Sequence, residues 1–252
     1  MQPQEFAPPP ALGDVIRCFW HVRREFGAQP SAFEVLPDGH AEIVFHFGGD
    51  CSVDGTPLPS PFLMGLLQRP LRLSAQGRFD VLGIRCFPWT VYGLLGMAPG
   101  GDGVCLFEHP LAGLQAALAQ WVAQDRIDLA VASLSRHLLP LQTPVDAVLL
   151  RAGGAMRGAG GALPVSQVAT AAHATVRTLE RKFKQSSGRT VKDVSGLIRF
   201  EQVRNRLFSA PAGDLAALAR ELGYADQSHL SREFKRFAGT TPAAFARRLK
   251  KS

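Results

Sequence analysis

Two near-copies of one short segment constrain this chain more than any other feature. LERKFKQSSG (179–188) and LSREFKRFAG (230–239) share the pattern L-x-R-x-F-K-x-x-x-G, with five identities in ten positions, 51 residues apart. A threonine follows each glycine by two residues, Thr190 in one copy and Thr241 in the other. On a helix, Leu179 and Phe183 share a face, as do Leu230 and Phe234, because residues four apart are neighbours. Arg181 and Arg232 fall midway between those anchors and so point nearly the opposite way. Each copy therefore predicts a helix that buries a Leu/Phe pair, presents an arginine, and stops at a glycine suited to a helix C-terminus.

Charge separates the part of the chain that holds the copies from the rest. Residues 1–161 carry 11 Lys+Arg against 14 Asp+Glu, a net of −3, whereas residues 162–252 carry 17 against 7, a net of +10. All six lysines lie at or beyond Lys182. A basic segment beside a mildly acidic one predicts a polyanionic partner for the C-terminal part. Cys18, Cys51, Cys86 and Cys105 are widely separated and form no C-x-x-C, which argues against a disulfide framework or a zinc knuckle. The N-terminus lacks a basic-then-apolar signal pattern, and no stretch approaches a membrane span. A cytoplasmic, reduced protein with no membrane partner is expected.

Taken in order, the chain opens on a proline-rich arm, MQPQEFAPPP, followed by short apolar segments bounded by turn residues. DVIRCFWHVR (14–23), FEVLP (33–37), AEIVFHFGG (41–49), LMGLLQ (63–68), LRLSA (71–75) and FDVLGIRCF (79–87) read as strands, with PDGH (37–40) a turn. In 41–49, Ile43, Phe45 and Phe47 fall on one face and Val44 and His46 on the other. The Gly and Pro spacing predicts a small barrel or sandwich. Segments 111–122 and 127–139 place apolar residues at helical spacing and predict two helices that pack on the strands or form a subunit interface. RAGGAMRGAGG (151–161), with five glycines in eleven residues, reads as a flexible linker between domains 1–150 and 162–252.

Everything after that linker has helical signals. Helix 164–172 precedes the first copy of the motif, and helix 214–222, capped by Asp214 and ended by Gly223, precedes the second. Thr175 is a candidate N-cap for helix 176–187, and the second copy occupies helix 228–238. Each copy thus becomes the second member of a helix-turn-helix. The longest helix, 191–208, lies between the two units, with Val194, Leu197, Phe200, Val203 and Leu207 along one side. At about 27 Å it falls within reach of the ~34 Å between major grooves one turn apart on one face of DNA. Pro242 starts a last helix with Phe245 facing inward.

Residues 163–248, about a third of the chain, resemble the DNA-binding domain of the AraC/XylS family of bacterial transcription regulators. The carrying residues are Leu179, Arg181, Phe183 and Gly188 in the first unit. In the second they are Ala219, Leu222, Gly223, Tyr224, the run DQSHLSREFKR (226–236), Gly239, Pro242 and Phe245. The resemblance implies an α+β chain. Its N-terminal domain would be β-rich and barrel-like, with accompanying helices, and would serve in sensing or dimerisation. Its C-terminal domain would be all-α, with two helix-turn-helix units joined by the long helix. Each unit would insert its second helix into successive major-groove segments of double-stranded DNA. A small-molecule effector, RNA polymerase and a second copy of the chain are the other partners such a regulator can have, and no cofactor is implied.

The residues placed to read bases are Arg177, Glu180 and Arg181 in the first unit and Gln227, Ser228, His229 and Arg232 in the second. Arginine can bridge guanine O6 and N7, and a glutamate can accept from cytosine N4. Lys182, Lys184, Arg189, Lys235 and Arg236 suit phosphate contact. His173 stands where the family usually has a turn glycine and Val191 where proline is common, so DNA affinity is expected to rest more on the second unit. VLPDGHAEIVFHFGG, preceded by CFWHVR, resembles the N-terminal domain of poorly characterised AraC-like regulators and names no ligand. His40 and His46 lack the H-x-H pairing and acidic partner of a cupin metal site, and no metal is expected. Trp20, Phe45, Phe47 and Trp89 suit an apolar core better than a pocket.

Two other readings stay open. A sequence-neutral architectural DNA binder would share the basic helices. A DNA-repair alkyltransferase relative would need a cysteine-zinc cluster or a Pro-Cys-His nucleophile, and neither occurs. Nor is there a Ser/His/Asp arrangement, a phosphate loop or HExxH, so no enzyme is expected.

Overall fold

The computed structural model describes residues 3–100, 103–141, 144–211 and 213–250. Met1 and Gln2 of the proline-rich arm, and Lys251 beyond the last helix, lie outside the described residues. The chain divides into two compact units. One comprises Met1–Val35, His40–Leu66 and Leu71–Val145, and the other Leu36–Gly39, Leu67–Pro70 and Asp146–Ser252.

The first unit is built on two sheets. Strands β1 (Gln4–Phe6), β2 (Ile16–Glu25), β4 (Ala41–Gly48), β7 (Phe62–Met64), β9 (Arg78–Cys86) and β10 (Val104–Cys105) form a six-stranded sheet of order β1-β2-β9-β4-β7-β10. Strands β3 (Ser31–Val35), β5 (Cys51–Val53), β6 (Thr56–Pro57) and β8 (Leu71–Ala75) form a four-stranded one of order β3-β8-β5-β6. The unit is β-rich with accompanying helices, as expected for an α+β chain, and its strands form two sheets, not a closed barrel. Strand order was beyond reach of local patterns, since β9 pairs with β2 on one side and β4 on the other across long stretches of sequence.

Alternation decides which face of the larger sheet is the core. Phe19, Ile43, Phe45, Phe47, Leu63, Leu82 and Ile84 join one buried cluster with Leu118 and Val122 of α2 (Gln115–Ala123) and Ile127, Val131, Leu134 and Leu138 of α3 (Ile127–Leu138). A short helix, α1 (Val91–Leu94), adds Val91, Tyr92 and Leu94. Each such fully buried side chain contributes about 1.5–3 kcal/mol against exposure. The helix predicted over 111–122 begins as a 3-10 turn, Pro110–Leu114, and becomes α-helical only at Gln115.

On the opposite face, Val44 is also buried, and Trp20 stands across from Gly83. A Cβ on Gly83 would lie 2.1 Å from the indole, so the ring occupies the space a side chain would fill. Back on the core face, in line with Leu82 and Ile84, Asp80 is almost wholly buried and accepts from Arg23 at 2.7 Å, Arg78 at 2.9 Å and His21 at 3.1 Å. Burial pushes its carboxyl up, but the hydrogen bonds from Arg23, Arg78 and His21 outweigh burial and hold it below its ordinary value. Arg23 also reaches Asp125 at 3.3 Å, tying β2 to the turn between α2 and α3.

The second unit consists of helices α4 (Ala147–Gly158), α5 (Val165–Ala171), α6 (Val176–Ser187), α7 (Val191–Ser209), α8 (Leu215–Glu221), α9 (Gln227–Ala238) and α10 (Pro242–Leu249). Most of the stretch read as a flexible linker, 151–161, is therefore helix. Asp146 caps α4 by accepting from Val148 N at 2.8 Å, and Leu149, Ala152, Gly153 and Met156 make a buried face. That cap and face outweigh the roughly 1 kcal/mol that each helical glycine costs. Glycine count alone hid both. The core is aromatic. Phe200 of α7 meets Phe234 and Phe237 of α9 at centroid distances of 5.0 and 5.4 Å, and Phe234 meets Phe245 of α10 at 5.4 Å.

Candidate nucleic-acid interface

The two motif copies fold by the same local rules. Thr175 accepts from Thr178 N at 3.1 Å to cap α6, and Asp226 accepts from His229 N at 2.6 Å to cap α9. Both helices end on a left-handed glycine, Gly188 at φ 70° and Gly239 at φ 67°. Thr190 and Thr241 then cap the next helices, α7 and α10. The anchors Leu179, Phe183, Leu230 and Phe234 are fully buried, as the repeat predicts.

The turns differ. In the first unit the positive-φ residue is His173, at 51°, with Ala174 alone between it and the cap Thr175. In the second it is Gly223, at 74°, with Tyr224 and Ala225 before the cap Asp226. The second turn is one residue longer, by Ala225, and Tyr224 stands where the first turn has Ala174. Tyr224 is buried and donates to Glu233 Oε1 at 2.9 Å. Burial, with the Glu233 carboxylate beside it, pushes the Tyr224 phenol far above its usual range.

Of the residues expected to read bases, Arg177, Arg181, Gln227, Ser228 and Arg232 are exposed on the second helices of the two units. Arg181 is held by Gln185 Oε1 at 2.9 Å along its own helix. Glu180 and His229 are half-buried. Glu180 turns inward and accepts from Val191 N at 3.2 Å, and His229 packs edge-on against Tyr224 at 5.3 Å. Among the residues expected on phosphate, Lys184 and Lys235 are exposed, with Lys184 bonded to the Gly188 carbonyl at 3.0 Å. Arg189 is half-buried. Lys182 pairs with Asp146, and Arg236 pairs with Asp193 at 2.9 Å.

One position carries opposite charges in the two copies. Lys182 and Glu233 both precede the anchoring phenylalanine. Lys182 meets the carboxylate that caps α4, whereas Glu233 receives two bonds from Arg199 of α7, at 3.1 and 2.9 Å. Arg199 also donates to the Gly161 carbonyl at 3.1 Å. Sequence reading missed Asp146, Asp193, Arg199 and Glu233, because each partner lies on a different helix. The alternation of charge within the two copies was the available signal.

The comparisons with known proteins match two separate stretches of the chain. Residues 4–100 match the model of a domain of unknown function (DUF6597), and residues 168–248 match the model of a helix-turn-helix domain. The C-terminal unit is an AraC-type helix-turn-helix domain. That unit is of a kind that binds DNA in transcription regulators. No curated protein matches the sequence. Among solved structures, ToxT from Vibrio cholerae O395 is similar at 11% identity over 93% of this chain and 99% of that one, with a TM-score of 0.48. Wild-type ToxT from strain SCE256 with unsaturated fatty acid bound is similar at 12% identity over 90% of this chain and 94% of that one, with a TM-score of 0.48. The AraC-like transcriptional activator CuxR is similar at 15% identity over 83% of this chain and 80% of that one, with a TM-score of 0.32. Among the described residues, no helix is long and apolar enough to cross a membrane, and no group of three or more His, Cys, Asp and Glu is placed to hold a metal ion. His46 instead bonds the Leu58 carbonyl at 3.2 Å, and His40 packs near Phe87 at 6.2 Å.

Proposed function

We propose that the AraC-type domain reads a specific operator, placing α6 and α9 in two successive major-groove segments of one duplex. One observation carries this: two capped helices of the same unit each present exposed arginines, Arg177 and Arg181 on one and Arg232 on the other, in a segment of net charge +10. Arginine bidentate to guanine is worth about 1–3 kcal/mol of discrimination per pair. Arg177, Arg181, Gln227, Ser228 and Arg232 take the base-reading role. Lys184 and Lys235 neutralise phosphate. Glu180 and Lys182 hold the reading helix to its scaffold.

The N-terminal unit, with its own core, takes a controlling role in a cytoplasmic bacterial regulator, by binding a small molecule or a second copy, and RNA polymerase is the machinery acted on. A domain boundary at the start of α4, in place of the expected linker 151–161 between domains 1–150 and 162–252, belongs to the same proposal.

The test is selection of bound fragments from a bacterial genomic library at about 0.15 M salt, where nonspecific binding is already weakened. Wild type should enrich a discrete site and the Arg181→Ala/Arg232→Ala variant should not. Equal enrichment of bulk DNA by both, with and without cell extract as a source of effector, would instead support an architectural binder.

A further inference from the structure

The length of α7 does not set the distance between the reading helices. The groups of α9 bond and pack along the first half of α7, where Arg236 meets Asp193, Glu233 meets Arg199, and Phe234 and Phe237 meet Phe200. The second half of α7 serves other helices, with Arg206 paired to Glu221 of α8 and Phe208 edge-on to Phe245 of α10.

The first reading helix meets the same end of α7. Glu180 of α6 accepts from the backbone N–H of Val191, the first residue of α7. A proline at that position would have no N–H to give. Two residues on, Asp193 uses both carboxylate oxygens. Oδ2 accepts from Thr190 N at 3.4 Å, which closes the capping box of α7, and from Thr190 Oγ1 at 2.6 Å, while Oδ1 accepts from Arg236 of α9 at 2.9 Å. The opening turn of α7 therefore bonds to α6 through one residue and to α9 through another. A turn whose backbone is fixed by its own cap leaves neither helix free to pivot.

We infer that Val191 and Asp193 are positioning residues that fix the base-pair spacing the domain accepts. This inference rests on the operator-reading function proposed above. Neither residue needs to touch DNA. Their effect appears only when the two segments of the operator are moved relative to each other. One inserted base pair rotates one segment by about 35° against the other and takes its bases out of reach of a rigidly held helix.

The experiment uses the full chain and the site enriched in the selection, rebuilt with the two segments one base pair closer, as found, and one base pair further apart. Val191→Pro removes the donor while keeping a residue suited to the first helical position, since the preceding Thr190 is extended at ψ 159°. Asp193→Asn removes the charge that holds Arg236 and keeps an oxygen for the cap. Wild type should prefer the found spacing by about tenfold or more, the equivalent of one mismatched base pair. Each variant should fall to about threefold and the double variant to near unity. Affinity for the found spacing should change by less than about threefold, since no base contact is removed. Variants that melt like wild type and keep its spacing preference overturn the inference. A wild-type protein that selects no site at all overturns the operator reading, and this inference with it.

Discussion

The two helix-turn-helix units share a frame and differ in everything attached to it. Both place a polar N-cap before the second helix, a Leu/Phe anchor inside, a left-handed glycine at the end and a threonine cap just beyond. They differ in turn length, in the sign of the charge before the phenylalanine, and in what restrains the outward arginine. Local backbone chemistry thus repeats while the fit to each unit's surroundings does not. The repeated parts satisfy hydrogen bonds that any helix end leaves open. The unrepeated parts answer to neighbours that occur once.

The sharpest way to break the comparison is at the charged pairs. Arg199 and Glu233 each keep about 14% of side-chain exposure, and Glu233 serves Tyr224 as well. Arg199→Ala should cost about 3 kcal/mol, the low end for breaking a buried pair, because Glu233 and the Gly161 carbonyl lose their donor. Lys182→Ala, at the matching position but more exposed, should cost under about 1 kcal/mol. Denaturant unfolding of the two variants checks the difference, and equal losses would mean that the two units are held alike.

Next in size is the effect on base discrimination. Arg232→Ala should lower preference for the selected site over bulk DNA by about 2 kcal/mol. Arg181→Ala should lower it by less, because Arg181 must leave Gln185 to reach a base. Competition binding on a single operator measures both, and a larger loss at Arg181 would reverse the ranking of the two units.

The turns come third. Gly223→Ala places a Cβ 2.9 Å from that of Ala162 at a left-handed φ, and should destabilise by more than about 1 kcal/mol. His173→Gly frees a residue held at φ 51° and should change stability by only a few tenths of a kcal/mol, since relief of strain and added unfolded-state freedom oppose each other. Thermal melts decide this pair.

The smallest effect is confined to acid. Burial raises the Asp193 carboxyl, but Thr190 and Arg236 outweigh it and hold it below its ordinary 3.8. A carboxylate depressed in the folded state stabilises above its unfolded value, and that contribution is lost as pH falls through the folded one. Wild type should therefore lose melting temperature below about pH 3.8 faster than Asp193→Asn does, and parallel curves would show that the Asp193 bonds contribute nothing to stability.

The same contrast explains what could be read without a structure. Thr175, Gly188, Asp214 and Gly223 were legible because a cap acts within one turn of its own helix. So were the anchors, because helical spacing alone places them. Strand order was not, since β2 and β9 are joined by hydrogen bonds across some sixty residues, as in Cys18 opposite Arg85. Asp146 went unnoticed beside a glycine-rich stretch whose composition suggested no helix to cap. The exposure of Arg177 and Arg232 was legible from the helical wheel. Glu180 and Lys182 sit on the same helix, and only the neighbouring helices show that these two turn toward protein.

The indole of Trp20, seated over Gly83, has a practical consequence for following the protein in solution. All three tryptophans, Trp20, Trp89 and Trp121, belong to the N-terminal unit, and the DNA-binding unit has none. Emission excited at the red edge of the aromatic band therefore reports on the N-terminal unit alone. Quenching or a colour shift on adding a candidate effector would be seen against a dark DNA-binding domain, and the unfolding of the two units could be told apart without any label.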